Sequence, residues 1–169
     1  MINATLNQFC LWLEDTPISQ SIQVSDWVVP LTQIIHIFAV SAALSAALMI
    51  SLRLLGFFAT EQPFSTTFDR CWSIFLTSLI ILLISGSILI IGEPSRSLAN
   101  ETFQLKMALI IAVLGTLRII KVRLANPKID WKSGYTPDVG LESLSKALSL
   151  ILLLLLTCVL FAGRWIAYT

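Results

Sequence analysis

The sequence predicts an all-α integral membrane protein: a four-helix transmembrane bundle preceded by a short amphipathic helix. Three observations carry that expectation. Of 169 residues, 56% are apolar and 12% charged, against roughly 45–50% and 25% in soluble domains. Charge-free stretches cover residues 27–52, 71–92 and 147–163, close to the roughly 20 residues that cross hydrocarbon at about 1.5 Å each. The apolar residues run continuously, without the alternation of a strand barrel.

These figures also exclude whole classes of function. Mean hydropathy is +0.86. A soluble chain of about 150 residues leaves roughly a third of its unfolded surface in water, too much for this composition. A net charge of +1 provides no basic field for phosphates, so nucleic acid is not an expected partner. The expected partners are the lipid bilayer itself and either another membrane protein or a second copy of the chain.

Residues 1–26 form the first expected unit, an amphipathic segment on the outer membrane surface. They hold no Lys or Arg, so they are not a cleavable signal. Leu6, Phe9, Cys10 and Leu13 recur at helical spacing. Thr16 caps a second short helix that starts at Pro17, with Ile18 and Ile22 on one face. Ser25 is the expected cap of the first span. Trp12, Trp27, Trp165 and Tyr168 fit an outer aromatic belt, and Trp72 the inner boundary.

The transmembrane unit is residues 27–169, with spans at about 27–52, 71–92, 102–121 and 144–167. The third span carries Lys106 and Arg118 near its ends and 11 uncharged residues between them, at 107–117. Both long side chains can run along the apolar layer to an interface. The polar stretch 126–141 holds Pro127, Gly134, Pro137 and Gly140, and reads as a loop.

Basic residues set the orientation. The loops flanking the inner ends hold Arg53, Arg70, Arg118, Lys121, Arg123, Lys128, Lys132 and Lys146, eight of the eleven Lys and Arg. The acidic residues divide equally and decide nothing. The expectation is a bacterial inner (plasma) membrane protein with both termini periplasmic or extracellular.

Lipid supplies no hydrophobic force between helices, so small residues must let backbones approach. Ala39, Ala43 and Ala47 form such a row on the first span. Ser73, Thr77, Ser78 and Ser85-Gly86-Ser87 serve the second, and Ala108, Ala112 and Gly115 the third. Spans one to three are therefore expected to be the close-packed core, with the leucine-rich fourth exposing a broad leucine face to lipid.

His36 is the single histidine, about eight residues and so roughly 12 Å inside the outer boundary. An ionisable group at that depth is a functional-site candidate by default. It suits an axial ligand to haem iron, a proton relay, or a neutral packing residue bonded to Gln33 or to a Ser or Thr of a neighbouring helix. One chain cannot supply two axial histidines. Lys106 lies roughly 6 Å deep and either snorkels outward or turns inward to an anion such as a propionate. Arg164 is a second candidate for that role. Gln33, Glu93, Arg96 and Gln104, with Glu101, are expected as a polar cluster at the outer face. Arg53 is expected as an inner interfacial anchor.

Cys10, Cys71 and Cys158 form no CxxC and are expected as buried thiols. Three methionines and one histidine are too few soft ligands for a copper pathway.

The runs Gln33-Ile34-Ile35-His36-Ile37 and Leu52-Arg53-Leu54-Leu55-Gly56, with Glu93-Pro94, Phe103-Gln104-Leu105-Lys106-Met107 and Gly163-Arg164-Trp165-Ile166-Ala167-Tyr168, together resemble a bacterial four-helix inner-membrane family, a domain of unknown function. More distantly, His36, Arg53-Leu54 and Lys106 are similar to the membrane protoporphyrinogen oxidase and copper-resistance D families. The first of those likenesses implies haem association through such a His and Lys. The expectation is a haem- or tetrapyrrole-associated redox module, with haem b as cofactor, His36 as metal ligand, and Lys106 and Arg164 holding propionates. Two alternatives stand beside it: a non-enzymatic subunit of a larger membrane complex, and a small-solute or proton pathway.

Overall fold

The computed structural model describes residues 2–57, 64–98, 100–124 and 139–165. Among the described residues it is all-helical: α1 (Ile2–Glu14), α2 (Pro17–Val24), α3 (Val28–Leu54), α4 (Phe64–Gly92), α5 (Pro94–Leu98), α6 (Glu101–Arg123) and α7 (Val139–Trp165). Three stretches are long and apolar enough to cross a membrane: α3, α4 and Glu142–Gly163 of α7. Helix α6 has 23 residues but carries five charges along its length, which lower its apolar character.

Helix boundaries follow local chemistry. The Thr16 hydroxyl accepts from Ser19 N–H at 3.4 Å, and Pro17 follows at the first helical position, where a missing N–H loses nothing. At α6 the Asn100 side chain accepts from Thr102 N–H at 2.8 Å. Glu101 in the first turn and Lys121 and Arg123 in the last complement the helix dipole. Helix α3 ends in a Schellman turn: Phe57 N–H donates to Leu52 O at 3.0 Å and Gly56 N–H to Arg53 O at 3.1 Å. That turn needs positive φ at its glycine, and Gly56 has φ +83°.

Two boundary expectations are corrected. Ser25 does not cap α3. It ends α2, and its hydroxyl donates back to Ser21 O at 2.8 Å, so Trp27 occupies the cap position without a side-chain bond. Helix α4 starts at Phe64 rather than near Cys71. The charges Asp69 and Arg70 that marked the boundary in sequence sit exposed on one face, while Phe64, Thr67 and Phe68 are buried on the other. Amphipathic turns thus extend the helix beyond its charge-free stretch.

The helices pack unevenly. Helices α3 and α4 have the most extensive mutual contact, α7 packs on α6 and α3, and no comparable backbone contact joins α4 to α6. The apolar core gathers at the end where α3 finishes and α4 starts, here termed the core end. It combines Ala43, Ala46, Ala47 and Ile50 with Phe68, Cys71, Phe75, Leu117, Ile120 and Leu152. The small α3 residues admit the aromatic ladder of α4, in which Phe64–Phe68 and Phe68–Trp72 centroids are each 5.8 Å apart. The expected core of spans one to three is corrected by this arrangement. Helix α7 lies between α3 and α6, burying Ser145, Leu148, Ser149, Leu152 and Leu156 on one stripe while Leu150, Leu154, Leu160 and Phe161 stay exposed. Leucine knobs on one stripe satisfy a helix neighbour as well as lipid does, so composition alone could not rank the spans.

At the opposite, capped end, α1 and α2 fasten onto the junction of α4 and α5. Ser19 Oγ donates to Ile91 O at 2.6 Å and Gln23 Nε2 to Gly92 O at 3.1 Å. These bonds satisfy carbonyls that a helix C-terminus leaves without partners. Cys10 Sγ lies 3.7 Å from Pro94 O, and Glu14 accepts from Ser95 N–H at 3.3 Å. Phe9, Leu11, Trp12 and Ile18 face outward. Of the expected apolar stripe, Cys10 is buried and Phe9 exposed, and the Leu6 side chain lies outside the described residues.

Candidate functional site

Helix α3 places His36 eight residues past its start, and α4 places Ser85 seven residues before its end. Because the two helices form an antiparallel pair, these depths coincide. His36 Nδ1 lies 2.8 Å from Ser85 Oγ. Ser85 is buried, and His36 is half-buried. The ring lies along α4 beside Gly86, where a Cβ would stand 3.6 Å from His36 Cε1. That is ordinary contact distance, so Gly86 leaves one flank of the ring clear without being sterically required.

The other ring nitrogen, Nε2, has no hydrogen-bond partner among the described residues, and the ring is only half-buried. It is therefore reachable from outside the bundle. Lys106, half-buried on α6, is close enough for its ammonium charge to act on His36. No ion pair to Lys106 occurs among the described residues. An open imidazole nitrogen and an ammonium with no ion pair among the described residues can together receive a ligand that combines an electron-pair acceptor with an anionic arm.

The first half of α6 shapes the approach to these groups. None of residues 101–112 is buried, whereas Val113, Thr116, Leu117 and Ile120 are. The bundle is thus closed at the core end and open beside α6 at the capped end.

The remaining sequence candidates lie on several elements. Gln33 is exposed on α3, and His36 is bonded to Ser85 instead. Glu93 is exposed where α4 meets α5, and Glu101 is exposed at the start of α6. Gln104 is exposed, with Nε2 3.4 Å from Leu98 O. The side chains of Arg96 and Arg164 lie outside the described residues, as does the loop at 125–138. Arg53, expected at an interface, is only 6% exposed at the core end.

A Ser or Thr of a neighbouring helix was one expected partner of His36, and Ser85, which sequence reasoning did not single out for that role, fills it. Its signal was the Ser85-Gly86-Ser87 triplet at the same depth as His36 on the next span. Cys10 and Cys71 are buried as expected, and Cys158 is partly buried. No group of three or more His, Cys, Asp or Glu that could hold a metal ion exists among the described residues. Any metal at this site would take His36 as its single imidazole from the chain. In comparisons with known proteins, no family model matches the chain, and neither a curated protein nor a solved structure matches it.

Proposed function

We propose that the chain is a four-span bacterial inner-membrane protein, with α3, α4, α6 and α7 as spans and both termini on the periplasmic or extracellular side. Its outer half carries a haem- or tetrapyrrole-associated redox site. Three apolar helices support the membrane reading. The packing of α6 on α7 supports counting α6 as the fourth span, because a 23-residue helix at about 1.5 Å per residue is long enough to cross. The excess of Lys and Arg on the core-end loops supports the orientation.

The observation that carries the redox reading is the open Nε2 of His36, on a ring anchored through Nδ1. Haem b, when bound, would supply one-electron exchange at its iron. His36 would hold that iron through Nε2, and Lys106 and Arg164 would hold the propionates. The likeness of His36, Arg53-Leu54 and Lys106 to haem-associated membrane oxidases points the same way. The test is absorption spectroscopy of detergent-purified protein before and after haem addition. A Soret band in the wild type that His36→Ala abolishes is expected. A wild type that stays colourless after haem addition overturns the reading.

A second reading is a subunit of a larger membrane complex. It is favoured by Ala108, Ala112 and Gly115, which are exposed at helix-neighbour spacing on α6 and form the kind of seam on which another helix packs. Co-purification of a stoichiometric partner in mild detergent is the expected result, and a stable lone monomer counts against it.

A further inference from the structure

The Ser85 hydroxyl lies between two groups that both require attention. It is 2.7 Å from Ile81 O on its own helix and 2.8 Å from His36 Nδ1 on α3. A hydroxyl has one hydrogen and can accept through its lone pairs. The Ile81 carbonyl can only accept. Were the hydrogen turned to Nδ1, two oxygens would face each other lone pair to lone pair at 2.7 Å, on a residue only 3% exposed. Burial makes that repulsion costly. The hydrogen therefore points to Ile81, and the 2.8 Å contact is closed by a hydrogen on Nδ1.

We propose that Ser85 is a positioning residue that holds His36 as its Nδ1–H tautomer and presents the Nε2 lone pair to a metal-centred ligand. An imidazole free in water favours the opposite tautomer, Nε2–H, which would direct a hydrogen at the incoming metal and block coordination. The bond a histidine makes through one nitrogen decides which nitrogen is free to ligate. Here the acceptor is a neutral hydroxyl, not a carboxylate, so it orients the ring while adding little basicity to Nε2. The short, buried Ser85 side chain on a packed helix also fixes the ring plane. The identity of the ligand rests on the haem reading above, but the tautomer does not.

The test is nitrogen NMR on full-length protein, ¹⁵N-labelled at histidine, in detergent at about pH 8, above the ordinary imidazole pKa. With one histidine in the chain, the two ring signals need no assignment by mutation. The expected spectrum has a protonated, pyrrole-type Nδ1 and an unprotonated, pyridine-type Nε2. Ser85→Ala is expected to lose that pattern in favour of Nε2–H, and Ser85→Thr, which keeps the hydroxyl, to retain it. Haem affinity is expected to fall about 10–100-fold in Ser85→Ala, as when other ligand-orienting partners are removed, and to recover in Ser85→Thr. A wild-type spectrum with Nε2–H overturns the proposal, whether or not Ser85→Ala can be purified. An unchanged tautomer in Ser85→Ala also overturns it. An Nδ1–H wild type that takes up no haem upholds the positioning role and overturns the haem reading.

Discussion

The Lys121 ammonium stands 4.8 Å above the centre of the Trp72 ring. This contact joins α6 to α4 through side chains at the core end, where the two backbones have no extensive contact. Trp72 is itself stacked between Phe68 and Phe75, so the cation rests on an interior rung of an aromatic ladder. Removing it should loosen that side of the bundle. Lys121→Met is expected to cost about 0.5–2 kcal/mol, the range for cation–π contacts from exposed to desolvated sites, while Lys121→Arg should hold. Thermal unfolding in detergent, followed by tryptophan fluorescence, measures both.

The N-terminal helices act as a strap over the capped end. Ser19 and Gln23 donate to Ile91 O and Gly92 O, and Ile22 Cγ2 would lie 3.1 Å from a Cβ placed on Gly92. Ser19→Ala and Gln23→Ala are each expected to cost about 1 kcal/mol, the ordinary net value of a hydrogen bond. The signature is local: amide exchange should quicken in the last turn of α4 and in α5, with little change at the core end. Uniform quickening along α4 would show that the strap does not act at that corner.

Helix α7 separates buried from lipid-facing leucines at neighbouring positions. Leu152 is fully buried, and Leu154 is 65% exposed. Lipid is about as apolar as leucine, so Leu152→Ala loses packing rather than hydrophobic transfer. Its cost should sit near the low end for buried leucine, about 2 kcal/mol. Leu154→Ala should stay within about 0.5 kcal/mol, as surface changes do. Equal costs in denaturant titrations would contradict the placement of α7 between α3 and α6.

Much of this architecture could be read from particular residues. The charge-free stretches located α3, α4 and α7, and Thr16-Pro17 located the break between α1 and α2. The row Ala39, Ala43 and Ala47 marked the buried face of α3, because only small residues admit the α4 aromatics. What was illegible depends on the partner rather than on the segment. The exposed faces of α4 at Asp69 and Arg70 concealed its true start. A leucine-rich helix reads the same whether it meets lipid or another helix, so the central place of α7 was missed. His36 could be singled out by type and depth, but its choice of Ser85 over Gln33 follows from the α3–α4 register, which local sequence does not encode. The burial of Arg53 likewise depends on its surroundings in the fold rather than on its own segment.

A site that combines His36 with Lys106 in the outer half of the membrane requires α6 to cross it. The direct measurement is labelling of single introduced cysteines in intact cells with a membrane-impermeant maleimide, scored over the wild-type background. Ser95→Cys, before α6, should react from outside, and Lys128→Cys, after it, only once the membrane is permeabilised. Labelling of both positions from the same side would leave α6 uncrossed and contradict the account.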